Sequence, residues 1–292
     1  MATAPDPRGR PDAPRVRVRI LRPRDRETAL ARLRPHARDD LFLMDLVRQV
    51  GASAGHEMQA EVLGAWHGDQ LAGLASLRPT VVLEAGLGPA ALAALVPALA
   101  GLASGLVRSP SALAGPLWTE LERRGRRSLV DRLEMALVVE AADARLVDPP
   151  PGSAVRRAGV ADLDPLVEAA RASLREEGRP DPFLGDPRGF RRWVAARLPR
   201  AVVIEHAGRV AWVGYGDVRL PEGWLLQGVY TWPEARRRGL AAAGVSALCR
   251  EAFAAGADHV QLSVVGGNEP ALGLYHRLGF RDYATLRTLL FA

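Results

Sequence analysis

Three consecutive prolines at the middle of the chain limit its architecture more than any other feature. The segment Val147-Asp-Pro-Pro-Pro-Gly-Ser153 cannot lie inside a helix or a central strand. Each proline fixes φ and lacks a backbone donor, so the run predicts a stiff, extended connection. With 292 residues in all, the break leaves two pieces of domain size, each long enough to bury a core. Residues 1–14 are Pro-rich and charged without apolar periodicity, which predicts a disordered tail. The expected organisation is a tail over 1–14, a domain over 15–146, a linker over 147–153 and a second domain over 154–292.

A break at the midpoint is where a tandem repeat would be joined, and the halves share landmarks. Each opens with a short strand and an Asp in position to cap a helix: Val16–Leu21 before Asp25, and Ala154–Arg157 before Asp162. Each continues with a hairpin turning at a glycine, Gly68 in one and Gly208 in the other. Each then runs strand, Ala/Leu-rich helix, strand, and a second helix closed by a glycine, Gly125 or Gly279. The pattern predicts one α/β fold used twice, with insertions in the second copy.

Charge narrows the function classes. All 39 basic residues counted as Lys plus Arg are Arg, against 33 acids. The absence of Lys, the single Asn and the two Ile fit the codon bias of a GC-rich genome. The net charge of +6 is spread out, with 20 Arg against 18 acids in residues 1–148 and 19 against 15 in 149–292. A nucleic-acid binder concentrates its positive charge, so this balance argues against nucleic acid as a partner. Cys249 is the single cysteine, which removes internal disulfides and Cys-cluster metal sites; no metal is expected. No apolar run is long enough to cross a membrane, and Met1–Arg10 lacks the apolar core of a signal peptide. A cytoplasmic protein with no membrane partner is the expectation; oligomeric state is not readable.

The chemistry-bearing stretch is Gly228-Val-Tyr-Thr-Trp-Pro-Glu-Ala-Arg236-Arg-Arg-Gly239-Leu-Ala241. It predicts a strand over Trp224–Thr231, a tight loop, and a helix from Leu240 to Ala255. The first turn of a helix has unpaired N–H groups and a positive dipole end. Gly239 and Ala241 leave room for a ligand to approach the backbone, and Arg236, Arg237 and Arg238 add forked donors that match a pyrophosphate. A solvated basic loop capping an ordinary helix has the same sequence. Downstream, the strand Gln261–Val265 leads into Gly266-Gly-Asn268-Glu-Pro-Ala271-Leu-Gly-Leu-Tyr275-His-Arg-Leu-Gly279-Phe280. Asn268 sits where an Asx side chain caps the helix, Gly279 ends that helix, and Phe280 is expected to begin a last hairpin.

Together, Arg236-x-x-Gly239-x-Ala241 after the strand end and Asn268-x-x-Ala271-x-x-x-Tyr275-x-x-x-Gly279-Phe280 resemble two ordered motifs of the GNAT superfamily of N-acetyltransferases. The motifs cover residues 224–280, and the element order extends the likeness to 152–292. The first half resembles that fold in element order alone, so the whole is similar to a tandem type with a degenerate amino-terminal GNAT-like domain. The resemblance implies an α/β (α+β) fold of two tandem domains, each a twisted mixed sheet flanked by helices. It further implies acyl-CoA held in a V-shaped gap between two strands of the second domain. Backbone groups of Val229 and Thr231, flanking Tyr230, would pair with pantetheine as an added strand does. Amides from Arg237 through Leu240 to Ala241 would cradle the pyrophosphate, Asn268 would line the gap, and an N–H near Val229 would polarise the thioester carbonyl. Tyr275 matches the general acid that protonates the departing thiolate.

The implied activity is transfer of an acetyl group from acetyl-CoA directly to an amine, on a small molecule or a protein. A catalytically inactive module that binds or senses acyl-CoA is the alternative. The position where many relatives carry a basic Glu is Leu225. The remaining candidates for that role are Glu205, His206, Asp217 and Glu222, or a water relay through Tyr215. In the first half Leu121 stands where Tyr275 stands in the second, and Gly86-Leu-Gly-Pro89 supplies no charge, so that half is expected to be non-catalytic.

Overall fold

The computed structural model describes residues 16–52 and 60–292; the expected tail over 1–14 lies outside them. The first half runs β1 (Arg17–Ile20), α1 (Arg26–Leu33), α2 (Ala37–Gln49), β2 (Glu61–His67), β3 (Gln70–Arg78), α3 (Pro89–Leu99), β4 (Gly105–Pro110), α4 (Ser111–Arg123) and β5 (Ser128–Val139). The second runs β6 (Ser153–Arg157), α5 (Leu163–Glu176), α6 (Pro187–Arg197), β7 (Ala201–His206), β8 (Arg209–Leu220) and β9 (Gly223–Thr231). It ends with α7 (Leu240–Ala254), β10 (Val260–Val265), α8 (Glu269–Arg277) and β11 (Arg281–Phe291). The architecture is α+β, with a small antiparallel sheet β1-β2-β3 and a larger mixed sheet ordered β4-β11-β5-β10-β9-β8-β7-β6.

The large sheet departs from the expectation of one self-contained sheet per half. β5, from the first half, lies between β10 and β11 of the second, and β11 pairs on its far side with β4 of the first. The two halves therefore exchange their last strands. The hairpin expected after Phe280 is absent: β11 is one long strand whose antiparallel partners come from residues 105–138. Residues 81–83 stitch the small sheet to the large one, Val81 N–H donating to the Leu106 carbonyl at 2.8 Å and Val82 accepting from Ser76.

The paired landmarks hold in fine detail. Arg19 forks onto Asp25 at 2.6 and 3.0 Å, and Arg156 forks onto Asp162 at 2.7 and 2.9 Å. Each Asp stands at the N-cap position that the sequence predicts, of α1 and of α5, but neither side chain makes the cap hydrogen bond. Each is the last residue of a 3₁₀ turn, and its carboxylate reaches back to the amide of Arg22 (2.8 Å) or Gly159 (2.7 Å). The bidentate pair holds the Asp25 carboxyl at about 2, well below its ordinary value. Gly68 and Gly208 turn the two hairpins, and Gly125 and Gly279 close α4 and α8, all four with positive φ.

The proline linker is docked. Arg145 N–H donates to the Leu278 carbonyl at 2.9 Å, Val147 N–H to Ser246 Oγ at 3.0 Å, and Arg250 holds the Val147 carbonyl and Asp148. Gly279, at φ +93, makes the close approach possible. A Cβ there would stand 2.1 Å from the Asp143 carbonyl oxygen, and an L side chain would also be strained in that conformation.

A packed boundary joins the halves on one face of the sheet. α2 covers Val218, Leu220 and Leu225, which share a core cluster with Leu21, Leu30 and Leu41. Beside it Asp40 is 1 % exposed, Oδ1 accepting from the Ala85 amide while Oδ2 has no hydrogen-bond partner among the described residues. Burial pushes its carboxyl up to about 7, and Glu84 adds to the rise. An acid raised in the folded state loses folding stability as pH climbs from its unfolded value toward 7, because ionisation then favours unfolding. Asp40→Asn is therefore expected to raise the melting temperature at pH 8 and change it little at pH 4. The rise from 3.8 to about 7 bounds the gain at about 4 kcal/mol. Thermal scans at the two pH values check this.

Candidate functional site

β9 and β10 are parallel neighbours for two residues only, Val260 facing Trp224 and Gln261 facing Leu225. Beyond that they separate, and β10 continues against β5 while β9 continues against β8. On β9 the parting coincides with a bulge: Val213 pairs with Tyr230 and Tyr215 with Gln227, leaving Gly228 and Val229 opposite Gly214 alone. Gly228 takes φ +58, and a Cβ there would press within 2.9 Å of the Tyr215 ring, so glycine is required for both its conformation and its space. The result is a parting of two strands in which β9 beyond Leu225 has no ladder partner on its β10 side among the described residues.

α7 points its amino terminus at this region. Gly239 (φ +80) precedes the helix and Arg237 also has positive φ, at 63°. Such a loop turns successive N–H groups to one side, and the amides of Arg237, Arg238, Gly239, Leu240, Ala241 and Ala242 have no backbone acceptor among the described residues. Gly239 is exposed, and the nearest atom to a Cβ there would be Pro150 Cγ at 3.6 Å. The docked linker thus runs beside the loop. A small cavity of about 40 Å³ is lined by His206, Arg209, Trp232 and Arg238.

The three arginines differ. Arg237 and Arg238 are exposed, and Arg238 has one long contact, to His206 at 3.5 Å. Arg236 is engaged: it meets both Glu176 oxygens at 2.7 and 2.8 Å and the Thr231 carbonyl at 3.0 Å. Tyr230 donates to the same Glu176 at 3.0 Å, and burial, with that acceptor, raises its phenol. Glu176 ends α5, sixty residues upstream, and no local pattern pointed to it. Asn268 does the capping its position predicts, Oδ1 accepting from the Ala271 amide at 3.2 Å. Tyr275, on the inner side of α8, is 7 % exposed and edge-on to Phe280 at 5.7 Å. It shares one core cluster with Val229, Leu240, Ala241 and Cys249, and burial pushes its phenol up to about 12. Its counterpart Leu121 is an apolar core residue, 1 % exposed.

None of the acid or histidine candidates for a base stands free at the gap. Glu205 pairs with Arg156, Asp217 with Arg197, and Glu222 with Arg48. His206 Nδ1 meets Ser153 Oγ at 2.8 Å. Tyr215 lies 4.0 Å beneath the Arg197 guanidinium, and burial pushes its phenol up to about 12. Leu225 is buried beneath α2.

Residues 165–280 match the family model described as the acetyltransferase (GNAT) family. Among curated proteins no sequence matches the chain. Among solved structures, a Drosophila protein superposes with a TM-score of 0.74 at 15% identity, over 94% of this chain and 98% of that one. A GCN5-related N-acetyltransferase from Sphaerobacter thermophilus gives 0.60 at 18% identity, over 96% and 95%. A tandem GNAT protein from the clavulanic acid biosynthesis pathway gives 0.56 at 13%, over 94% and 97%. Likeness at these identities concerns the fold, and it spans both halves. Among the described residues, no helix is long and apolar enough to cross a membrane.

Proposed function

We propose, from the match of residues 165–280 to the acetyltransferase (GNAT) family, that the chain moves an acetyl group from acetyl-CoA directly to an amine nitrogen. The observation that carries the reading is the parting of β9 from β10 at a bulge, beside a helix whose first amides are unpaired. Pantetheine lies in the gap along the β9 backbone at Val229, Tyr230 and Thr231. The pyrophosphate sits on the amides of Arg237 to Ala241, where a helix end and a turned loop both favour negative charge. Arg237 and Arg238 are free to fold over it, whereas Arg236 reaches it only by leaving Glu176. Asn268 acts by setting the start of α8.

The chemistry is a single displacement. The amine lone pair attacks the thioester carbonyl, whose oxygen is stabilised by an N–H near Val229. The C–S bond breaks, and the sulfur takes the Tyr275 proton as charge builds on it. A phenol held near 12 keeps that proton at physiological pH. A thiolate leaving in the same dry cleft is itself a stronger base than in water, which narrows the mismatch. The ammonium gives one proton to water at the open side of the gap before nitrogen attacks, and the second, shed by nitrogen as the amide forms, returns through water to the Tyr275 phenolate. In this reading the domains are 15–146 and 154–292 joined by 147–153, and the first, with Leu121 in place of Tyr275, holds no donor.

Calorimetric titration with acetyl-CoA tests the reading. One site per chain is expected, weakened about 10- to 100-fold when Arg237 and Arg238 both become Gln, since each loses a charge-assisted contact. Two sites would return a donor role to the first half, and no binding would overturn the proposal. One observation favours the second reading, an acyl-CoA binder without turnover: Leu225 replaces a base and is covered by α2. Measurable CoA release on adding amines rules that reading out.

A further inference from the structure

The face of the gap opposite Tyr275 carries a charged cluster that the reaction above does not use. Leu262 and Val264 of β10 point toward α7 and α8, so Gln261 and Ser263 point to the other face, with Leu225 and Gln227 of β9. Glu134 of β5, opposite Val265, lies on that face and accepts from Ser263 Oγ at 2.6 Å. Arg108 of β4 donates from Nη2 to Ser263 Oγ at 2.6 Å and from Nε to Glu134 at 3.3 Å. Arg132 of β5 stands 3.4 Å from Glu134 and donates from Nη2 to Glu177, at the end of α5, at 2.8 Å. Burial by itself would raise the Glu134 carboxyl. Arg108 and the Ser263 hydroxyl, with Arg132, outweigh it and hold it at about 2. It is a fixed anion, and too weak a base to take a proton from an ammonium.

Both guanidiniums are largely buried, with side-chain exposures of 13% and 15%, yet each keeps its Nη1 group without an acceptor among the described residues. The cluster carries one net positive charge: Arg108, Arg132 and Arg179 against Glu134 and Glu177. A half-desolvated surplus cation with unused forked donors, fixed by a buried carboxylate, is a site for a single planar anion. It lies on the face of the sheet away from α7 and α8, where Gln227 and Ser263 are only half-buried, and this is the side left to the amine.

We infer that Arg108 and Arg132 bind the carboxylate of the acceptor, so that the amines acetylated are amino-carboxylates. This rests on the acetyltransferase reading and adds the substrate class to it. Glu134 is a positioning residue that aims the two guanidiniums. All three come from the first half, which thereby selects the acceptor for chemistry performed in the second. The balance is simple: the ammonium form of the amino acid and acetyl-CoA give the N-acetylamino acid, CoA thiol and one proton. The carboxylate is unchanged throughout.

The test is CoA release from acetyl-CoA with the twenty α-amino acids, β-alanine and aminobenzoate, each beside its carboxamide, and with phosphorylated amines. At least one amino-carboxylate is expected to exceed its carboxamide by about 10- to 100-fold in kcat/KM, the range for losing a charged hydrogen-bond partner. In Arg132→Gln that preference should collapse toward unity, mainly through KM; a folding defect would lower both rates and leave their ratio intact. Equal rates for acids and amides, a preference for phosphorylated amines, or an unchanged ratio in Arg132→Gln would overturn the inference while leaving the transferase reading standing. Acetyl-CoA binding without release on any amine would sink the transferase reading instead. The inference would then be decided by titrating the CoA-loaded protein with the same acids and amides: heat from acids alone supports it, and none overturns it.

Discussion

Replacing Tyr275 with Phe is expected to cut the turnover of acetyl transfer by about 10²- to 10³-fold, the range for removing a positioned general acid, while acetyl-CoA affinity holds within about twofold. The substitution is nearly silent for packing, because the ring stays edge-on to Phe280 inside the cluster with Leu240 and Cys249. What disappears is one O–H, so kcat and kcat/KM should fall together. Because burial pushes that phenol to about 12, its deprotonation cannot shape the pH–rate profile below about pH 10. Steady-state kinetics across pH, with calorimetry on the same variant, decide the matter. An unchanged kcat would remove Tyr275 from the chemistry, and a lost affinity would make it structural.

Cutting the chain at its proline linker is expected to have an effect as large. Residues 154–292 alone lack β5, so β10 loses six paired positions and β11 loses both its neighbours. They also lose the cover of α2 over Val218, Leu220 and Leu225. An open sheet edge beside uncovered apolar surface favours association over folding. The fragment should show no cooperative unfolding transition and no acetyl-CoA binding, and co-expression with residues 1–153 should restore both. Circular dichroism melts and titration of the two preparations check this. A monomeric, cooperatively folded 154–292 that binds acetyl-CoA would show that the exchanged strand is dispensable.

What the sequence disclosed was whatever is encoded locally. The hairpin glycines Gly68 and Gly208, the helix-closing Gly125 and Gly279, the boundaries of β9 and α7 and the Asn268 cap follow from neighbours within a few residues. Asp25 and Asp162 were legible as a matched pair, yet their partners Arg19 and Arg156 lie six residues back, outside a capping pattern. The strand exchange left no trace. The stretch after Phe280 read as a hairpin and not as one long strand, because alternation fixes which face a side chain takes but not which strand lies beside it. Arg236 reads as a ligand for phosphate until Glu176 is brought against it from sixty residues away. Arg108, Glu134 and Ser263 are scattered over 155 residues and meet only because β4, β5 and β10, with β11 between the first two, are gathered into one sheet. The one local hint was a lone acid, Glu134, in the otherwise apolar end of β5.

The exchange of last strands also sets a timetable on the ribosome. β5 emerges well before β10 and β11, the two strands it will lie between. At about 5–20 residues per second, roughly 120 residues of further synthesis separate β5 from β10, a wait of about 6–24 s. Through that interval the nascent first half displays unpaired backbone on both β4 and β5, the kind of edge that recruits strands from other chains. Completion of the sheet is therefore posted to the end of translation, and crowded polysomes making this protein are where mispairing between neighbouring nascent chains should be sought.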